Sequence, residues 1–188
     1  MSNVVEKEII PDEEYDSDDL IDNAPFYIEQ VGIRQVREKV YYSTSAINTP
    51  KAAVDVFGEV LRFYDRAVVG IVNVGENMVP LNVNICSVGT INRALVNPRE
   101  MLKTSILSNA SSVVVIHNHP SGSVNPSDFD FVITKRLSDV YKMMGIDFLD
   151  HIIVGNDKTY YSFAEQKEIL IKDYKMDQPL TLREETFL

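Results

Sequence analysis

Read for hydrophobic periodicity, the chain resolves into short elements joined by polar turns. Ala53, Val56, Phe57, Val60 and Leu61 recur at helical spacing behind Thr49-Pro50, an N-cap residue followed by a first-turn proline. Two strands follow, Val68 to Val74 and Asn82 to Ser87, on either side of a turn near Gly75. Asn97-Pro98 opens a second helix that carries Leu102, Ser105, Ile106 and Asn109 on one face. Val113-Val114-Val115-Ile116 is an unbroken β-branched run of the kind that fills a fully buried strand. Ile133, Leu137, Val140, Tyr141 and Met144 then share a helix face that starts at Ser127 and is closed by Gly145. Phe148 to Val154 and Thr159 to Phe163 predict a hairpin around Gly155-Asn156-Asp157, with a last short helix over Glu165 to Ile171. Upstream, the loose alternation of Ile28, Val31, Ile33 and Val36 within Tyr27 to Tyr42 predicts an edge strand. Together these give an α/β fold, a mixed sheet flanked by helices, with no internal repeat.

Chemistry gathers at the end of the β-branched run. His117 and His119 would close that strand, and residues two apart on a strand project to the same face, so both imidazoles converge on one point. Pro120 and Gly122 turn the chain directly afterwards, and Asp130 falls in the first turn of the helix opening at Ser127. Two histidines and one carboxylate, with a fourth position for water, is the ligand count of a catalytic zinc rather than a closed structural one. Taken singly, each part has a plainer reading: Ser127-x-x-Asp130 has the spacing of a capping box, and a strand-end histidine is commonly a satisfied core residue. In that order along one chain the parts favour a metal site. Asp150 and His151 face opposite sides of their strand, so at most one reaches the site, and His151 is the candidate partner behind a metal ligand. Arg99 and Glu100 at a helix start are candidates to line a cleft, though an acid there is also explained by the helix dipole.

Composition narrows the class. The chain has 188 residues with 45% hydrophobic content, enough for one sizeable core. The net charge of -10 is unevenly placed: residues 1–29 hold ten acids and one lysine, leaving eighteen acids and seventeen bases for the rest. A solvated, disordered acidic arm over residues 1–27 and a nearly neutral domain follow, which argues against direct nucleic-acid binding. The expected division is that arm, an edge strand and linker over 28–47, the domain over 48–171 and a tail over 172–188. The single cysteine, Cys86, forms no disulfide framework and reads as a small buried hydrophobe, and no signal peptide or membrane-length apolar run is evident. A cytoplasmic location is expected.

The string His117-Asn118-His119-Pro120-Ser121-Gly122, with Ser127 and Asp130 at their spacing, resembles the JAMM motif of the MPN-type metalloprotease superfamily, and more narrowly the bacterial RadC family. Ser87-Val88-Gly89-Thr90, Asn97-Pro98-Arg99-Glu100, Asn109-Ala110 and Asp150 to Gly155 resemble further segments of that family in its usual order. The resemblance implies an MPN/JAMM-like fold with the layered architecture of cytidine deaminases. It implies Zn2+ held by His117, His119 and Asp130, with Ser127 supporting the developing oxyanion. It also implies a general-base glutamate on an upstream strand, and here the chain departs from the pattern: Asp65-Arg66-Ala67 stands where the family shows Asp-Arg-Glu. Ungapped counting sets Ala67 at the base position, and a register slipped by two sets Asp65 there. Glu59 and Glu76 are further candidates, each more simply an exposed residue. Three functions are consistent with these residues: a zinc hydrolase cutting an amide or isopeptide bond in a peptide or protein, a pseudoenzyme that docks a partner, and a DNA-repair-associated factor suggested by the family's historical label.

Overall fold

The computed structural model describes residues 32, 34–43, 45–91, 94–156 and 158–167. The chain divides between Arg34 and Gln35, and every element below belongs to Gln35–Leu188. Thr49 caps the first helix as its sequence predicts, its hydroxyl oxygen accepting from the Ala52 N–H at 3.2 Å. α1 (Pro50–Ala53) runs into a π-helical turn, Val54–Gly58, and then into α2 (Glu59–Leu61). The strands are β1 (Val68–Val74), β2 (Pro80–Val88), β3 (Ser112–Asn118), β4 (Asp147–Val154) and β5 (Tyr160–Ser162). α3 (Pro98–Leu107) is capped by Asn97, and α4 (Asp128–Met143) is capped by Ser127 and left through Gly145 at φ 68°.

The five strands form one mixed sheet in the order β2-β1-β3-β4-β5. All neighbours are antiparallel except β3 and β4, which run parallel and are joined through α4, the crossover that a parallel pair requires. β1 and β3 are buried along their whole lengths because both faces are covered. One face, with Val68, Val72, Val114, Ile116, Ile152 and Val154, packs on Ala53, Val54, Phe57 and Leu61. The other, with Val69, Ile71, Val113 and Val115, packs on Met101 of α3 and on Ile133, Leu137 and Tyr141 of α4. Gly70 is required on the first face: a Cβ there would overlap the Phe57 ring.

Two predicted elements are corrected. Residues 34–43, the described part of the predicted edge strand, are irregular, with Val36 77% and Val40 72% exposed. Of the four alternating residues Val36 is the described one, and its exposure leaves that position with no sheet or core to hold it as a strand. Residues 163–167 form hydrogen-bonded turns rather than the start of a helix. The rest of both stretches, the acidic arm and the tail over 172–188 lie outside the described residues. Among the described residues no helix is long and apolar enough to cross a membrane.

Candidate metal centre

His117 is the last inward residue of β3, on the same sheet face as Val113 and Val115 and therefore facing α4. His119 follows just past the strand, where its carbonyl accepts from the Gly122 N–H at 2.9 Å and the Pro120-Ser121 turn sends the chain to α4. The Asp130 carboxylate meets the two rings from the first turn of that helix. His117 Nε2 lies 3.0 Å from His119 Nε2 and 3.2 Å from Asp130 Oδ1, and His119 Nε2 lies 3.7 Å from Asp130 Oδ2. Among the described residues these three are the group whose ligand atoms converge closely enough to hold one metal ion.

The capping role of Asp130 is compatible with its place in the candidate cluster. Ser127 donates from its backbone N–H at 2.7 Å and from its hydroxyl at 2.6 Å to Asp130 Oδ2, while the Asp130 N–H reaches the Ser127 oxygen at 3.4 Å. This reciprocal capping box holds one carboxylate oxygen and aims the other at His117. Burial works to raise the Asp130 pKa, but the His117 and His119 rings that face it and the Ser127 hydroxyl outweigh burial and hold the carboxyl well below its usual range. Burial pushes the His117 imidazole down, with Asp130 opposing. At neutral pH a carboxylate therefore faces a neutral imidazole. His119 Nδ1 lies 3.0 Å from the Ser123 carbonyl oxygen, which can only accept; the ring hydrogen sits on that nitrogen and leaves Nε2 bare.

The residues fit a tetrahedral cation. Zinc–nitrogen bonds of about 2.0–2.1 Å at tetrahedral angles separate neighbouring ligand atoms by roughly 3.3–3.4 Å; here the two Nε2 atoms are 3.0 Å apart and His117 Nε2 is 3.2 Å from Asp130 Oδ1, while His119 Nε2 is 3.7 Å from the other carboxylate oxygen, Oδ2. Acceptors this close in a buried site repel one another unless a proton or a cation lies among them.

His151 stands behind the ligands, its Nε2 2.8 Å from His117 Nδ1 and its Nδ1 2.5 Å from the Thr134 hydroxyl. A register shift between β3 and β4 puts it there. Val113 pairs with Phe148, but Val114 pairs with Asp150, and the extra residue turns His151 rather than Asp150 toward the site. Asp150 faces the other way, accepting from Ser162 Oγ at 2.6 Å and the Ala164 N–H at 2.9 Å. Two contributors escaped the sequence reading. Thr134 offered the signal of a hydroxyl one helical turn past Asp130. Asn118, between the histidines, accepts from the Val68 N–H at 2.7 Å and donates to the Tyr64 and Arg66 carbonyls at 3.3 and 3.0 Å, tying residues 64–68 to β3 beyond the end of the ladder.

Val69 pairs with His117, and Ala67, two residues earlier and 7% exposed, lies on the same face toward His119. Asp65, the alternative base, is not in the cluster: its side chain is 78% exposed and ion-paired with Arg66 at 2.7 Å. Glu59 pairs with Arg62 at 3.0 Å on the far helix. Glu76 lies past the opposite end of β1, roughly 20 Å along the strand at about 3.3 Å per residue. Cys86, with its thiol pushed up to about 12 by burial and by Glu100, is inert and lines a cavity of about 160 Å³ with Val69, Val96 and Glu100.

A mixed-sheet α/β domain with a two-histidine, one-carboxylate cluster at the end of a central strand is the class of protein that fold and site define. Within that class the chain belongs to the RadC-like JAB domain family, whose profile matches residues 47–168. It is 38% identical over 120 residues to a UPF0758 protein of Desulfitobacterium hafniense, covering 64% of this chain and 52% of the relative. It is 38% identical over 132 residues to a UPF0758 protein of Clostridium acetobutylicum, covering 69% and 57%. A UPF0758 protein of Thermotoga maritima is 37% identical over 107 residues, covering 57% and 48%. The chain thus spans about half the length of these curated relatives.

Proposed function

We propose that this domain is a zinc-binding metallohydrolase of the JAMM type, acting on an amide or isopeptide bond in a peptide or protein. The observation that carries the reading is the convergence of His117 Nε2 and His119 Nε2, 3.0 Å apart, on the Asp130 carboxylate, whose Oδ1 lies 3.2 Å from the first and whose Oδ2 lies 3.7 Å from the second. Zinc bound there would supply Lewis acidity and lower the pKa of a water to about 7. Ser127 has a hydroxyl beside the ligand carboxylate; in the resting arrangement its hydrogen goes to Asp130, and rotation about its C–O bond redirects it to a developing oxyanion. Ala67 offers no proton acceptor, so transfer to the leaving amine passes to solvent, and turnover lies about 10²–10⁴-fold below that of a site with a carboxylate base.

Ala67 also carries a second reading, a metal-bearing scaffold that docks a protein without cutting it. Elemental mass spectrometry of the purified protein beside His119→Ala is the first test, followed by hydrolysis of a fluorogenic isopeptide. About one zinc per chain, lost in the variant, supports the metal centre, and turnover abolished by the same substitution selects the hydrolase over the scaffold. Wild-type protein without metal after zinc is supplied would overturn both.

A further inference from the structure

We propose that Thr134 and His151 are positioning residues that lock the tautomer of His117, so that the nitrogen presented to the cation is always the bare one. This rests on the metal-centre reading and deepens it.

The Asp130 carbonyl oxygen can only accept, so the Thr134 hydroxyl, 2.5 Å away, donates its single hydrogen there. The same hydroxyl oxygen lies 2.5 Å from His151 Nδ1, and with no second hydrogen it accepts from the ring; Nδ1 of His151 is the protonated nitrogen. His151 is 2% exposed, and its nitrogens meet a hydroxyl and another imidazole, surroundings that keep the ring neutral and leave Nε2 bare. That Nε2 lies 2.8 Å from His117 Nδ1, which must then be the donor. Neutral His117 carries its lone pair on Nε2, the atom 3.0 Å from His119 Nε2 and 3.2 Å from Asp130 Oδ1. Each step follows from the one before because each hydrogen bond holds one hydrogen.

The opposite tautomer shows what the lock prevents. With its hydrogen on Nε2, His117 would donate to Asp130 Oδ1 across 3.2 Å, and the cluster would satisfy itself without a cation. The relay denies the site that internal bond. Both of its ends are also tied to ligands: Thr134 sits one helical turn past Asp130 and bonds that residue's own carbonyl, so the turn carrying one ligand sets the tautomer of another. The His151 ring plane is held by stacking on Phe163, with centroids 5.1 Å apart and planes 10° apart. Simple packing does not account for Thr134. A hydroxyl bonded back to the preceding turn slightly destabilises a helix, and valine has the same shape without one.

The test is zinc affinity, read by competition with a chromophoric chelator, for wild type, Thr134→Val and Thr134→Ser, with melting temperatures to confirm folding. Nitrogen-15 spectra of the histidine rings in zinc-free wild type read the tautomers directly. Expected are the Nδ1–H form of His117 in wild type, affinity about 10–100-fold lower in Thr134→Val, and recovery in Thr134→Ser. A folded Thr134→Val that binds zinc as tightly as wild type, or an Nε2–H form of His117 in wild type, would overturn the relay. Wild type that shows the Nδ1–H form yet takes up no zinc would uphold the lock and overturn the metal-centre reading.

Discussion

Replacing Ala67 by glutamate should harm the metal-free protein and help the metal-loaded one, and both effects follow from where the side chain points. Ala67 shares a sheet face with Val69, whose partner across the ladder is His117. Opposed residues in an antiparallel pair bring their Cβ atoms to about 5 Å, and a glutamate carboxylate reaches roughly 3.5 Å beyond its own Cβ. The new charge would therefore lie on the histidine side of the sheet. For a separation of roughly 6 Å from the Asp130 carboxylate and an effective dielectric of about 20, the repulsion is about 2–3 kcal/mol, which for a domain of this size lowers the melting temperature by roughly 10 °C. A divalent cation among the ligands reverses the sign of the field, so the deficit should close when zinc replaces a chelator in the buffer. The same carboxylate would accept the proton that Ala67 cannot, and hydrolysis of a fluorogenic isopeptide should rise by about 10²–10⁴-fold. Thermal melts with chelator and with zinc need no knowledge of the natural substrate. A variant that melts like wild type in both buffers and gains no turnover would refute the placement of residue 67 on the site face.

Two further outcomes test the fold around the site. Gly70→Ala places a methyl group in the Phe57 ring, and overpacking of this kind costs about 1–3 kcal/mol; urea denaturation should show a lower midpoint with an unchanged slope. Burial pushes the Asp150 pKa up to about 6 against the opposing hydrogen bonds of Ser162 and Ala164. A raised folded pKa means that the native state binds this proton more tightly than the unfolded chain. The stability it contributes is complete below the unfolded pKa of about 4 and is lost as pH rises through about 6. Asp150→Asn does not titrate, so its unfolding free energy relative to wild type should climb by on the order of 3 kcal/mol between pH 4 and 7, and a constant difference across that range would contradict the burial argument.

What the sequence made legible, and what it did not, separates by the range of the interactions involved. The ends of β3 and α4, and with them His117, His119 and Asp130, follow from strand parity, a turn and a cap, each set by a few neighbouring residues. The choice between Asp65 and Ala67 depended instead on the register between β1 and β3 and on Asn118, a side chain fifty residues away from Val68. His151 depended on a single extra residue in the β3–β4 pairing, which no pattern within β4 announces: unshifted parity would have carried Asp150 to the site face and a buried histidine to the other. Over the described residues the predicted edge strand failed for the converse reason, since alternation is a local signal while Val36 and Val40 stay exposed and irregular. The same contrast bears on the chemistry. The candidate metal ligands and Thr134 are carried on short-range structure, whereas His151 and the residue at the proposed base position arrive through long-range register. On the proposed reading, Ala67 leaves the base position without a proton acceptor while the His117, His119 and Asp130 cluster and the capping box stay in place.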